Sequence, residues 1–471
     1  MKMNNKLFVL SSVLLAAAAV KSSHAAVIAI VDSGTDIAHP ELASKIWQNP
    51  GEWDNGEDND HDGYVNDEHG WDFVNNDDRL IDTKLIGTWP QDDYTYFQYQ
   101  TAYLEGTATA DQITWLKAKV ADNAFIAQLE QFADFVHGTH VAGCAAKDAP
   151  AAKLMILKII GTATPMTIWN GFMQFQDFAA LDATDGGGDG TISPAKDALI
   201  KAGLTYLGEA QGKGLAAPGN YIAMKNAQVA SCSFGAGRAE VEPIVQKLIQ
   251  GILKTTLTQA QLDAYTDFFL QAATKSMQQD FIGPASNTMF VIAAGNDGAD
   301  NDTVPAAPAN VKQDNTITVA ASLGRSSLAS FSNYGATMVD VAAPGVGIRS
   351  TVPGGIYMQI SGTSQATPYV TNIVGQVIDA NPKLSLSQVK QIVLQTVDKK
   401  DWLAGKVVSG GIANPNRALY AANLSLTMDV YSAIAKAQTL VTDIPPGANE
   451  AQMVGKEGTF FVQKLPSFFH N

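Results

Sequence analysis

Five nearly continuous apolar runs constrain the fold of this 471-residue chain more than any other feature: Ala26–Val31, Leu154–Ile160, Val229–Phe234, Met289–Ala294 and Thr316–Ala320. A strand with one wet face alternates apolar and polar residues, whereas a run without alternation, rich in β-branched side chains, is buried on both faces. Stretches with helical patterning lie among and after these runs, at Val241–Leu253, Thr258–Met277 and Leu386–Thr396. Strands alternating with helices predict an α/β fold: a mostly parallel central sheet with helices on both faces.

Length and charge narrow the class. A chain of this size accommodates one large α/β domain with insertions. Residues 26–424 are read as that single domain, with large insertions near 79–134, 161–228 and 236–287 and a tail at 425–471 carrying a turn at Ile444-Pro445-Pro446-Gly447. Within the first insertion, Thr109-Ala110-Asp111-Gln112 has the form of a capping box opening a helix that runs toward Phe132. The net charge of −15 argues against a nucleic-acid partner, which needs a basic face. The two cysteines, Cys144 and Cys232, form no disulfide framework and are either buried thiols or one bridge. Lys2 and Lys6, the apolar run Leu7–Val20 and Ser23-His24-Ala25 follow the layout of a secretory signal peptide over residues 1–25. A secreted or periplasmic monomer without stable membrane insertion is expected, because no later stretch is long enough to cross a bilayer.

Four short segments carry chemistry. Asp32 closes the first apolar run, at the end of a strand where α/β sheets place their sites. His137-Gly138-Thr139-His140-Val141-Ala142-Gly143 reads as a helix start packed close to other backbone; His137 and His140 are not spaced as two zinc ligands one helical turn apart. Ser361-Gly362-Thr363-Ser364-Gln365 places a serine at a tight entry into a helix, and Ala294-Gly295-Asn296 ends an apolar strand in a carboxamide. Each alone has an ordinary structural explanation: an aspartate or serine cap, or a turn asparagine. Together they supply a nucleophile, a base, an orienting carboxylate and an oxyanion donor. The order Asp, His, Ser along the chain is that of subtilisin.

The blocks VDSGTDIAHPEL, HGTHVAG, AAGN and SGTSQATP resemble those of the subtilisin-like serine proteases, the subtilases, over roughly Ala26–Leu424. That resemblance implies a secreted endopeptidase acting on protein or peptide substrates, with Asp32, His137 and Ser364 as triad and Asn296 as oxyanion donor. Ser233, Phe234 and Gly235 then stand on the strand that pairs with substrate, and Ala294 and Gly295 form the opposite pocket wall. The resemblance also implies a cis bond before Pro305, in Val304-Pro305-Ala306. Val341–Gly345 and Lys406–Gly411 read as family sequence too. A non-catalytic binding protein on the same scaffold is the rival reading.

The departures from the family are specific. Gln365 replaces the usual methionine after the nucleophile, which predicts low sensitivity to peroxide. Tyr369 and Thr371-Asn372 replace a common histidine and a small Ala-Gly pair. The Asp32 strand begins directly after the expected cleavage point, leaving no room for a pro-domain. The Tyr94–Phe132 insertion is therefore expected to pack beside the cleft. Two acidic loops point to structural Ca²⁺. Asp58, Asp60 and Asp62 follow a DxDxDG pattern but have His69 where the last ligand belongs. Phe178–Ser193, with Asp185 and Asp189, is a longer variant. The alternative for each is a solvated acidic turn.

Overall fold

The computed structural model describes residues 25–162, 192–253 and 256–447. Twelve strands occur among them: β1 (Val27–Asp32), β2 (Gly70–Asp72), β3 (Lys153–Lys158), β4 (Val229–Cys232), β5 (Met289–Ala293), β6 (Thr316–Leu323), β7 (Ser327–Leu328), β8 (Val341–Pro344), β9 (Ile348–Val352), β10 (Ile356–Ile360), β11 (Asp398–Lys399) and β12 (Gly411–Ile412). The central ten-stranded sheet runs β2-β3-β1-β4-β5-β6-β8-β12-β11, with β7 added beside β6, and is parallel except for the β12–β11 edge and the β6–β7 pair. All five apolar runs are strands of this sheet, and the expected α/β architecture holds.

From β1 the chain moves to β2 and β3 on one side, then crosses back to β4 on the other. Ligand crevices form at the strand carboxyl ends where such a reversal occurs. Asp32, the last residue of β1, stands at that place.

Eleven helices complete the described fold: α1 (Gln91–Leu104), α2 (Ala110–Val120), α3 (Asn123–Ala146), α4 (Pro194–Gly214), α5 (Ala216–Met224), α6 (Arg238–Leu253), α7 (Gln259–Ser276), α8 (Thr363–Ala380), α9 (Leu386–Gln395), α10 (Pro415–Leu424) and α11 (Val430–Leu440). Side chains alternate across a strand. Ile28 and Ile30 accordingly meet one layer, with Val141, Val370, Ile373, Val389 and Ala421. Ala29 and Val31 meet the other, with Leu204, Tyr221, Val245, Phe269 and Leu270.

The capping box at Thr109 forms as expected, but its helix ends at Val120. Asp122 accepts the N–H groups of Ala124 and Phe125 and starts a new helix, α3. α1, α2 and the first half of α3 build a separate aromatic core, in which Tyr96, Phe97, Phe125 and Phe132 pack with Val352, Met358 and Ile360 of the β9–β10 hairpin. The insertion thus rests on the hairpin that leads into Ser364.

The segment expected as a tail from residue 425 is part of the same core for at least its first turns. Asp429 caps α11, which buries Val430, Ile434 and Ala437 in the layer of α8–α10. Beyond it, Asp443 pairs with Arg417 at 2.7 Å. Cys144 and Cys232 are free and buried. Among the described residues no helix is long and apolar enough to cross a membrane.

Candidate active site

Asp32 and His137 lie 105 positions apart and meet in the interior, with Asp32 Oδ1 2.7 Å from His137 Nδ1. Both side chains are almost wholly buried. A carboxylate accepts only, so Nδ1 carries the proton and Nε2 is left as an acceptor. Nε2 is buried and has no hydrogen-bond partner, and neither has Asp32 Oδ2.

His137 does not start a helix. It sits deep inside α3, which begins at Asn123. The small residues after it serve another purpose, close approach. A Cβ on Gly138 would lie 2.1 Å from the Gly34 carbonyl oxygen, and one on Gly143 would strike Thr351 Oγ1 at 2.2 Å. Ser33 tightens the junction. Its hydroxyl donates to the Asp134 carbonyl and accepts from Gly138 N–H at 3.1 Å, bridging the two groups of one helical turn beside His137.

Ser364 is the second residue of α8, whose first turn presents unsatisfied N–H groups. Its hydroxyl donates to the Ser233 carbonyl at 3.2 Å, and the Ser233 hydroxyl donates back to the Ser364 carbonyl at 2.9 Å. This pair fastens the start of α8 to the end of β4. Asn296 follows β5; its Oδ1 accepts both the Thr363 N–H and hydroxyl, each at 2.9 Å. With its oxygen held there, Nδ2 points away from Thr363. A Cβ placed on Gly362 would be 3.6 Å from both that Nδ2 and the Ser364 nitrogen, so the two donors face one small space.

The expected pocket walls follow β4 and β5, which pair directly through Cys232 and Ile292. Ser233–Gly235 and Ala294–Gly295 therefore lie side by side at the sheet's carboxyl edge. The Phe234 side chain points away from the cleft, into the core against Phe281. Gly235 needs to be glycine because a Cβ there would meet the Ala307 oxygen at 2.7 Å. The cis peptide expected before Pro305 is found instead at Ala307–Pro308. The stretch offers two X–Pro bonds, each with a small intrinsic trans preference, and tertiary context chooses between them. Here Ala307 pairs antiparallel with Ala236, and Pro308 lies beside Gly235.

His140 has a different office from His137. Its Nε2 faces the carbonyls of Ile348 at 3.0 Å and Met358 at 3.3 Å, so it donates there. Burial and then His137 push its pKa down to about 3. It is a neutral strut between α3 and the hairpin.

Several supporting residues were not singled out by sequence reasoning. Asn333 accepts from Asp297 N–H and Ala299 N–H and donates to Asn301, stapling the loop that carries Asn296. Asn372, read only as a departure, donates to the Ala145 and Lys147 carbonyls and so closes the end of α3. Thr371 bonds Ser231 of β4 at 3.1 Å. No local pattern reveals such partners, because each contact joins distant segments.

The acidic loop divides into two groups. Carboxylates of Glu52, Asp58 and Asp60 lie within 4.8 Å of one another, as do those of Asp60, Asp62 and Asp67. Asp58 also accepts the N–H groups of Asp62 and Gly63, which folds the turn. The first group, all hard oxygens, suits a Ca²⁺ ion. The second already surrounds the Lys225 ammonium, 2.8 Å from Asp60 and Asp67 and touching Asp62. Burial works against the charge of Lys225, but the three carboxylates outweigh it and hold its pKa above the ordinary lysine value. Asp185 and Asp189 lie outside the described residues.

The sequence profile of the Subtilase family matches residues 23–418, and the chain belongs to that family. It is 41% identical over 112 residues to alkaline elastase YaB of Bacillus sp. (strain YaB), covering 24% of this chain and 28% of that protein. It is 30% identical over 263 residues to the thermophilic serine proteinase of Bacillus sp. (strain AK1), covering 56% and 47%. The chain thus spans about a quarter to a half of the length of these relatives. The crystal structure of a cold adapted subtilisin-like serine proteinase aligns with a TM-score of 0.41 at 20% identity, covering 82% of this chain and 86% of that one.

Proposed function

We propose that this chain is a secreted serine endopeptidase that cleaves peptide bonds through an acyl-enzyme. The observation that carries the reading is the buried Asp32–His137 pair with Nε2 unpartnered, on a helix whose next turn meets α8 where His140 Nδ1 lies 3.5 Å from Nε2 of Gln365, the residue after Ser364. Family membership and the names of the relatives support it. The Ser364 hydroxyl leaves the Ser233 carbonyl and gives its proton to Nε2 as Oγ bonds to the scissile carbon. The carbonyl π electrons move to oxygen, where Asn296 Nδ2 and the Ser364 N–H receive the charge. Collapse breaks the C–N bond, and Nε2 returns the proton to the leaving amine. Water, activated by the same nitrogen, then releases the acyl group.

Substrate lies along Ser233–Gly235 and Ala294–Gly295, residues 1–25 direct export to the exterior or periplasm, and the protein works as a monomer. Calcium, where bound, has a structural role with Glu52, Asp58 and Asp60 as its carboxylates; Asp62 serves the loop instead. A serine-directed fluorophosphonate tests the core claim. Ser364 is expected to be labelled, and His137→Ala to cut labelling and turnover by roughly 10⁴-fold or more. Undiminished labelling in that variant would refute the reading and leave a binding protein on this scaffold.

A further inference from the structure

The inner carboxylate group of the Asn49–Asp67 loop holds a cation that belongs to the chain. Lys225 directly follows α5, and its side chain is only 6% exposed. Its Nζ lies 2.8 Å from Asp60 Oδ2, 2.8 Å from Asp67 Oδ2 and in contact with Asp62 Oδ2. An ammonium has three N–H donors and no acceptor. Three carboxylates converge on it, one for each donor. Two of the same oxygens take a further donor: Asn49 Nδ2 donates to Asp60 Oδ2 at 3.0 Å, and the Tyr221 hydroxyl donates to Asp67 Oδ2 at 2.6 Å. The other oxygen of Asp67, Oδ1, accepts from Asn49 Nδ2 at 2.7 Å. Tyr221 is also stacked edge-on against Tyr64 of the loop, 4.9 Å between ring centres. The ammonium thus ties a loop near residue 60 to a helix end at residue 225, as a coordinated ion would.

We infer that Lys225 is the resident cation of this loop, and that Asp62 and Asp67 are committed to it and closed to calcium. Ca²⁺ needs six to eight oxygens at about 2.3–2.6 Å. Nζ stands where such an ion would have to sit. Calcium is therefore confined to the outer group of Glu52, Asp58 and Asp60, and meets the inner one only through the shared Asp60. The inner half of the loop, Asp62–Asp67, keeps its order without divalent ions. Removing the ammonium leaves three converging carboxylates with no counter-charge and converts the inner group into a calcium site. None of this depends on the peptidase reading.

The test uses the full chain carrying Ser364→Ala, which excludes self-digestion whatever Ser364 does. In EDTA, amide exchange over Asp62–Asp67 is expected to stay slow with Lys225 present. Lys225→Met is expected to lower Tm by about 4–6 °C in EDTA, the cost of unpairing buried charge in a domain of this size. Millimolar Ca²⁺ should restore most of that loss, and calorimetric titration should find one more bound Ca²⁺ than in the lysine protein. Equal stoichiometry in both proteins would overturn the inference. So would loss of Asp62–Asp67 protection in EDTA with Lys225 intact. If Lys225→Met does not fold in either condition, Asp62→Asn decides. With its oxygen kept on the Tyr64 N–H, the new carboxamide turns its Nδ2 onto the ammonium, donor against donor, so Tm in EDTA should fall by several degrees; an unchanged Tm would count against the resident cation.

Discussion

The candidate cleft and the acidic loop are both clusters of buried polar groups, yet they dispose of their hydrogen bonds differently. At the cleft, His137 Nε2, Asp32 Oδ2 and Gln365 Oε1 are buried without partners. In the loop, Lys225 is ion-paired with all three inner carboxylates and Asn49 and Tyr221 donate to two of them, which leaves only Asp62 Oδ2 held by charge without a hydrogen bond. Leaving a buried polar atom unpaired costs about 1–3 kcal/mol. A fold tolerates that where the partner arrives from outside. The cleft holds unused capacity pointed at a visitor, and the loop has spent its capacity on its own lysine. Polar clusters of one composition can thus be told apart by what is left unsatisfied.

Within the cleft, Asn296→Ala is expected to have the largest effect. The Asn296 oxygen is committed to Thr363, so its Nδ2 is the part with capacity to spare. A donor whose partner becomes charged only in the transition state affects turnover, not ground-state binding. Steady-state kinetics on a peptide substrate should show kcat lower by about 10²–10³ with KM nearly unchanged. An equal loss carried by KM would mean that Nδ2 binds substrate, and the unused capacity would need another explanation.

A smaller effect separates the two histidines of α3. His140 is a satisfied group in the cleft's own helix, neutral because its pKa is pushed down to about 3. An unfolded histidine titrates near 6.5. The unfolded chain therefore binds a proton that the folded one refuses as pH falls below about 6.5, and stability declines through that window toward pH 3 by up to about 1.4 kcal/mol per pH unit. His140→Asn cannot titrate. Denaturant melts between pH 4 and 7 should show a shallower acid limb for this variant, though a lower plateau near neutrality. An unchanged slope would remove His140 as the source.

Much of this was legible in the sequence, and the gaps share a cause. Buried parallel strands write themselves as apolar runs, so β1, β3, β4, β5 and β6 were readable from residue type alone. The four chemical groups were readable because each needs small residues around it, and those make compact blocks. The helix of His137 was misjudged because glycines at 138 and 143 look like an opening, although they serve contacts with Gly34 and β9. The roles of Ser33, Asn333 and Asn372 are set by partners tens to hundreds of residues away. Lys225 was invisible for the same reason. An acidic loop read alone advertises a metal, and nothing near residue 60 says that a lysine arrives from residue 225. The boundary at residue 424 fell short because α11 is short and buries a narrow stripe, Val430, Ala433, Ile434 and Ala437, among polar residues.

The least effect is expected at Gln365, where the comparison can be refined by one atom. Its Nε2 lies 3.5 Å from His140 Nδ1, which is an acceptor because His140 donates through Nε2. That fixes the carboxamide and turns Oε1 toward Gly362, 2.8 Å from where a Cβ would be, with no partner of its own. Methionine is close in volume to glutamine, so Gln365→Met should fit and change kcat only a few-fold. What it changes is chemistry: a thioether next to Ser364 oxidises to a polar sulfoxide. After brief peroxide exposure the glutamine protein should keep most of its turnover, while the methionine variant loses activity in step with a mass gain of one oxygen at residue 365. Rapid inactivation of the glutamine protein would place the sensitive group elsewhere, with Met358 of the β9–β10 hairpin the first methionine to examine.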